Sequence, residues 1–162
     1  MSTVVTDGRM DAVDAEEYLE ERPPVTRMAI AVLALIGLML STYLSMYKLG
    51  YLGEIQCTLG GCEKVQNSSY SYFLGQPVAV WGLGAYIALL ALAVAGIQPR
   101  LAGSRWVALG LFGVAAVGVL FSAYLTYLEA FVIHAWCQWC VISAILVTLI
   151  FLLSIPGLRQ AR

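Results

Sequence analysis

The chain holds four cysteines, set as two close pairs, Cys57 with Cys62 and Cys137 with Cys140. A thiolate attacks disulfides and electrophilic rings, so two such pairs that meet can hand an electron pair from one to the next. The second pair lies in Trp136-Cys137-Gln138-Trp139-Cys140, at the opening of a long apolar run. That spacing sets two sulfurs one turn apart on one face of a helix N-terminus, where unpaired amides and the macrodipole favour thiolate. Val141, not His, follows Cys140, which excludes a covalent haem attachment. A permanent staple across one turn would close too short a loop to stabilise much. Redox exchange is therefore the stronger reading of this pair.

The first pair brackets Thr58-Leu59-Gly60-Gly61. Glycine permits the sharp turn that brings two Cα atoms to the ~5.5 Å of a disulfide. Alone, this pair reads equally well as a loop clamp or as an exchangeable bond; the second pair tips it toward exchange. Four thiolates could also hold zinc. Structural zinc, however, usually sits in a soluble knuckle, and one pair here is anchored at a lipid boundary, so no metal is assigned.

Residues 28–47, 77–97, 106–128 and 135–158 contain no Asp, Glu, Lys or Arg. Each reaches the ~20 residues needed to cross a hydrocarbon core, and backbone in lipid must satisfy its own hydrogen bonds, which helices do. With 60% hydrophobic residues, the expected fold is an all-α membrane protein: one four-transmembrane-helix domain over residues 27–158, with an outer loop and short helix as a cap. Residues 1–26 carry seven acids, two arginines and Pro23-Pro24, the composition of a disordered tail, and residues 159–162 form a short C-terminus. The first apolar run is longer than the ~7–15 residues of a signal h-region and reads as a retained helix. The net charge of -1 leaves no nucleic-acid footprint.

Basic residues concentrate in short cytoplasmic segments. Arg9, Arg22, Arg27, Arg100, Arg105, Arg159 and Arg162 fall on one side of the four spans, Lys48 and Lys64 on the other. Both termini are thus expected in the cytoplasm, and both cysteine pairs on the periplasmic or extracellular face of a bacterial inner membrane, where disulfides persist.

The outer segment 48–76 is too long for a plain connection; Val65, Tyr70, Tyr72 and Phe73 suit a cap lying on the bundle, with a short helix near residues 63–68. Residues 98–105 read as a tight turn with Pro and Gly breakers. Gly110, Gly118, Ser122 and Thr126 form a small-residue stripe suited to close helix packing. A five-residue echo, Ser41-Thr42-Tyr43-Leu44-Ser45 and Ser122-Ala123-Tyr124-Leu125-Thr126, sits at the outer end of the first and third runs. His134 and Glu129 are candidate supports for a thiolate or a proton path. A lone His at a helix entrance more often caps or faces water, and an interfacial Glu needs no such role. Trp136 and Trp139 fit either a pocket wall or an interfacial aromatic belt.

These pieces together resemble the vitamin K epoxide reductase family, in its bacterial branch, over residues 28–156. The resemblance rests on the loop pair followed by Glu63-Lys64-Val65-Gln66-Asn67-Ser68, on Trp81-Gly82, and on Tyr124-Leu125-Thr126-Tyr127-Leu128-Glu129 ahead of Cys137-Gln138-Trp139-Cys140-Val141. It implies a four-helix bundle around a quinone, ubiquinone or menaquinone, with the loop as a lid. It also implies roles: Cys140 meets the quinone, Cys137 resolves it, Cys62 passes electrons to Cys137, and Cys57 meets the reduced partner. Ser68, Trp81 and Ile133 would join Cys140 in the quinone pocket. Ala144 stands where animal members carry a vitamin K-binding Tyr, and Val78 at their pocket Asn. Four residues separate the loop cysteines, a shorter spacing than in the animal enzymes. What carries over is quinone reduction coupled to disulfide formation rather than epoxide reduction. Because the chain stops at Arg162, the expected partner is a separate periplasmic thioredoxin-like thiol protein of the DsbA type. A second family of four-helix quinone-linked thiol oxidases carries its cysteine pairs in the reverse order. The alternatives are a scaffold with structural disulfides or zinc, and a quinol-driven disulfide reductase.

Overall fold

Uncharged runs of this length have one way to satisfy their backbone in lipid, and each forms a helix long and apolar enough to cross a membrane. The computed structural model describes residues 25–58, 60–101 and 103–160. The acidic segment up to residue 24 therefore lies outside the described residues. The long helices are α1 (Val25–Lys48), α3 (Val78–Ala95), α4 (Arg105–Leu128) and α5 (Gln138–Gln160); α2 (Cys62–Gln66) is a short helix in the cap. A 3-10 turn (Ser69–Ser71) and a two-stranded antiparallel hairpin, β1 (Tyr72–Phe73) with β2 (Gln76–Pro77), complete the cap. The sequence places the start of the fourth helix at residue 135; it begins at Gln138, because residues 134–137 are needed to turn the chain into it.

Helix α1 packs on α3 and α5, and α4 on α5 and α3. The four spans thus form a closed ring rather than a solid core. At the end away from the cap the ring is filled by Ile30, Ala34, Leu89, Ala93, Val107, Leu111 and Ile150, all buried. Close approach there depends on small residues: a Cβ on Gly37 would lie 2.1 Å from the Tyr86 ring, and one on Gly96 2.4 Å from Arg27 Nη1. The Arg27 guanidinium occupies the space left by Gly96 and Gly157, at the ends of α3 and α5, and is buried.

At the cap end α1 stops in a Schellman turn. Gly50 takes φ 82°, its N–H donates to Tyr47 O at 3.1 Å, and Tyr51 N–H donates to Met46 O at 3.0 Å. The turn sends the chain back across the top of the ring. Lys48, the last residue of α1, then holds the returning segment: its ammonium donates to Gln66 O at the C-terminal end of α2 and to Ser71 Oγ, and lies 4.6 Å from the Tyr72 ring centre. A cation against the last carbonyls of a helix is favoured by the macrodipole. The hairpin inserts Phe73 between α3 and α4, 6.1 Å from the Trp81 ring and 5.6 Å from the Phe121 ring.

Candidate active site

Cys57 and Cys62 form a disulfide with Cα atoms 6.0 Å apart. Gly60, at φ 72°, makes the turn between them that a side chain would strain. The next residue, Gly61, brings the cap down on the start of α5. A Cβ there would lie 2.5 Å from Trp136 O and 2.8 Å from Trp136 N, so backbone meets backbone. Hydrogen bonds fix the register: Thr58 N–H donates to Gln138 Oε1 at 2.9 Å, and Trp139 Nε1–H donates to Gln56 O at 2.8 Å. Tyr43 of α1 braces the same corner, its hydroxyl accepting Gln56 N–H and its ring 5.3 Å from Trp139. The result is one buried cluster holding Cys62 and Cys137, each 0% exposed, with Leu40, Leu44, Ile55 and Val65. Cys57 and Cys140 pack against its edge. The four-thiolate alternative needs Cys57 and Cys62 free, and here they are bonded to each other.

Cys137 is the residue before α5, and its carbonyl accepts the first helical bond from Val141 N–H at 3.1 Å. Its sulfur therefore faces the unpaired amides of the first turn, as a capping oxygen would. The Cys137 thiol is lowered from its ordinary value, chiefly by the hydrogen bond from the Cys140 side chain, with help from the N–H groups of Cys140 and Trp139 and against the opposing effect of burial. A hydrogen bond from the Cys140 side chain thus favours ionisation at Cys137.

Glu129 reaches this site through a change of helical winding. After Leu128 the chain takes a π-helical turn (Glu129–Ile133), closed by His134 in the left-handed conformation at φ 53°. Such turns often occur at functional sites. This one carries the carboxyl inward, where Oε2 accepts Cys137 N–H at 3.0 Å and the residue is 2% exposed. His134, by contrast, is exposed, with Nδ1 on Val132 O at 3.2 Å. It is not among the cavity residues.

Beneath the cap the ring borders a cavity of about 960 Å³ that is partly open to the surroundings. Cys140, Ser68, Trp81 and Ile133 all line it, as does Glu129; Cys137 does not. Its walls are mainly apolar, with Leu40, Val78, Val114 and Phe121 among them. A large, largely apolar chamber with a few polar groups and one reactive sulfur fits a flat hydrophobic ring such as a quinone. Val78 lines the cavity and Ala144 does not. The small-residue stripe has two uses: Gly118 lets Val147 approach, to 2.7 Å of where its Cβ would be, while Ser122 and Thr126 leave open space in the wall. The five-residue echo also faces in, with Ser41 and Leu44 opposite Ser122 and Leu125.

Sequence reasoning missed Tyr86, whose buried hydroxyl hydrogen-bonds Ser143 Oγ at 3.0 Å in the cavity wall. It also missed Lys48 as the tie of the cap. Trp139 faces the cap rather than the cavity, and the Trp136 side chain is exposed.

A model of the vitamin K epoxide reductase family matches residues 28–155, and the chain belongs to that family. Membership carries a quinone-linked thiol and disulfide redox function in general, and makes the protein an oxidoreductase that acts on disulfides.

Two outcomes test this geometry. Gly61→Ala, in a Cys140→Ala background, should leave the bundle folded but lift the cap. Overpacking of this kind costs about 1–3 kcal/mol, enough to raise alkylation of buried Cys137 roughly tenfold by opening its cover. Removing the main cause of the lowered Cys137 value should also show: with the Cys57–Cys62 disulfide intact, Cys137 should titrate higher in Cys140→Ala than in Cys140→Ser, which keeps a donor. Ultraviolet thiolate absorbance against pH measures this.

Proposed function

We propose that the chain is a quinone-dependent thiol oxidase that generates disulfides. Electrons enter from a separate thioredoxin-like thiol protein of the DsbA type, cross Cys57/Cys62 to Cys137/Cys140, and leave to a membrane quinone, ubiquinone or menaquinone. The observation that carries this reading is the burial of Cys62 and Cys137 in one cluster while Cys140 opens on the apolar cavity.

The reduced partner attacks the cap disulfide at Cys57, which is partly exposed where Cys62 is fully buried. Released Cys62 thiolate attacks Cys137 in the Cys137–Cys140 disulfide, and Cys140 leaves. The partner's second thiolate attacks its own sulfur in the mixed disulfide with Cys57, closing the partner's disulfide and freeing Cys57 as thiolate; Cys57 then attacks Cys62, restoring the cap disulfide and freeing Cys137. Each exchange conserves sulfur bonds and passes one electron pair, and runs downhill when the acceptor has the higher potential, ~30 mV being worth ~1.4 kcal/mol. A bound quinone supplies the two-electron oxidant that lets Cys137 and Cys140 join again. Ser68, Trp81 and Ile133 would hold it beside Cys140, and the cap would exclude water from the reaction.

The uneven distribution of basic residues supports a bacterial inner-membrane setting, both termini in the cytoplasm and the cap on the periplasmic side. The same relay run backwards, from quinol to an oxidised partner, is the competing direction.

The deciding experiment mixes purified protein, a reduced thioredoxin-like protein and quinone without oxygen, and follows ring absorbance. Stoichiometric loss of quinone with oxidation of the partner is expected, and Cys140→Ala should abolish it while leaving the cap disulfide able to form. Unchanged quinone with wild-type protein would remove the proposal; quinol consumption with a reduced partner would reverse its direction.

A further inference from the structure

One buried ionisable group touches both the dithiol and the cavity. Glu129 is 2% exposed, accepts Cys137 N–H at 3.0 Å, and lines the cavity. Its carboxyl is also within hydrogen-bonding reach of the Cys140 thiol. Among the described residues no Lys, Arg or His acts on it, so within them it is not half of an ion pair that holds the fold. A carboxyl in the hydrophobic part of a membrane protein without such a partner is costly to keep for packing alone. The π-helical turn, moreover, is what aims it inward.

The Cys140 thiol has two neighbours that can take its hydrogen: Cys137, to which it donates, and Glu129. Cys137 cannot end as the carrier, because it must attack Cys140 as a thiolate to close the disulfide. We infer that Glu129 is the catalytic proton carrier of the site, moving the Cys140 proton between the sulfur and the oxygen of the molecule bound in the cavity. This rests on the quinone-linked reading above. As the Cys137–Cys140 bond forms, the Cys137 thiolate and the Cys140 thiol give up an electron pair and one proton. The pair passes to the quinone, the Cys140 proton reaches one of its oxygens by way of Glu129, which finishes as it began, and the other oxygen takes from solvent a proton equivalent to the one Cys137 lost on ionising. In the exchange with the cap the carrier runs the other way, taking up a proton given off by the partner's thiols and passing it to Cys140 as that sulfur leaves Cys137.

Of the titratable groups around Glu129, Cys137 faces it from just before α5 and Cys140 from its first turn. Cys62 of α2, which packs on the π-helical turn, is in the disulfide, and Glu63, Lys64, Tyr124 and Tyr127 are exposed. Its signature should therefore be confined to the two free thiols.

The test uses the full-length reduced protein, with no quinone present. Alkylation of Cys140 by iodoacetamide is followed against pH by peptide mass spectrometry. Wild type should show two ionisations, Glu129→Gln should lose one, and Glu129→Asp should restore it at a displaced pH. In a second arm, single-turnover oxidation of the reduced protein by a quinone should slow about 100-fold or more in Glu129→Gln, the usual range for a lost acid–base group. Reduction of the cap disulfide by dithiothreitol should not change. A Cys140 profile identical in wild type and Glu129→Gln would overturn the assignment. Should Glu129→Gln fail to fold, a wild-type profile with one ionisation, unchanged in Glu129→Asp, would overturn it equally. A wild-type protein that quinone does not oxidise would sink the functional reading instead, and the alkylation profile would still decide the role of Glu129.

Discussion

The contact between Gly61 and the backbone of Trp136 is the constraint on which the other features depend. A glycine in the cap against the entry to α5 lets two main chains meet without side chains between them. That approach brings Cys62 and Cys137 into one buried cluster. Everything on either side serves it. Lys48 and the Schellman turn of α1 hold the cap down from one edge, and Gln138 and Trp139 grip it from the other.

Burying the middle of the proposed relay has a chemical consequence. Thiol–disulfide exchange depends on which sulfur is reachable as well as on thiolate content. Cys62 and Cys137 are sealed, while Cys57 is partly open and Cys140 lines the cavity. In the proposed relay entry and exit then fall on different sulfurs, and the burial of Cys62 and Cys137 keeps a stray thiol in solution from the inner pair. The N-cap position of Cys137 adds polarity to this arrangement. Its sulfur accepts hydrogen bonds from the Cys140 side chain and from first-turn amides, so where the helix starts makes the two sulfurs of the pair unequal.

The spans were legible because absence of charge over twenty or so residues is a one-dimensional signal that lipid enforces. The cysteine pairs and the cap helix were legible for a related reason: spacing and glycine content are local. What the sequence hid was long-range or conformational. Nothing in residues 129–134 announces a π-helical turn, so Glu129 looked interfacial and equal in standing to His134. The winding separates them, turning one into the site and leaving the other in contact with Val132. Similarly the stripe on α4 read as packing. Half of it is, but a ring of four helices leaves a chamber at its centre, and Ser122 and Thr126 matter by not filling it. Tyr86 had no local signal at all; its position needs Gly37 on another helix.

The central claim is that an electron pair crosses directly between Cys62 and Cys137, and disulfide mapping tests it most directly. A Cys57→Ala, Cys140→Ala protein leaves those two sulfurs as its only thiols. Mild oxidation in detergent or membranes should join them within one chain, seen as a single cross-linked peptide pair by mass spectrometry. Two unlinked thiols after oxidation, or links only between chains, would contradict the account.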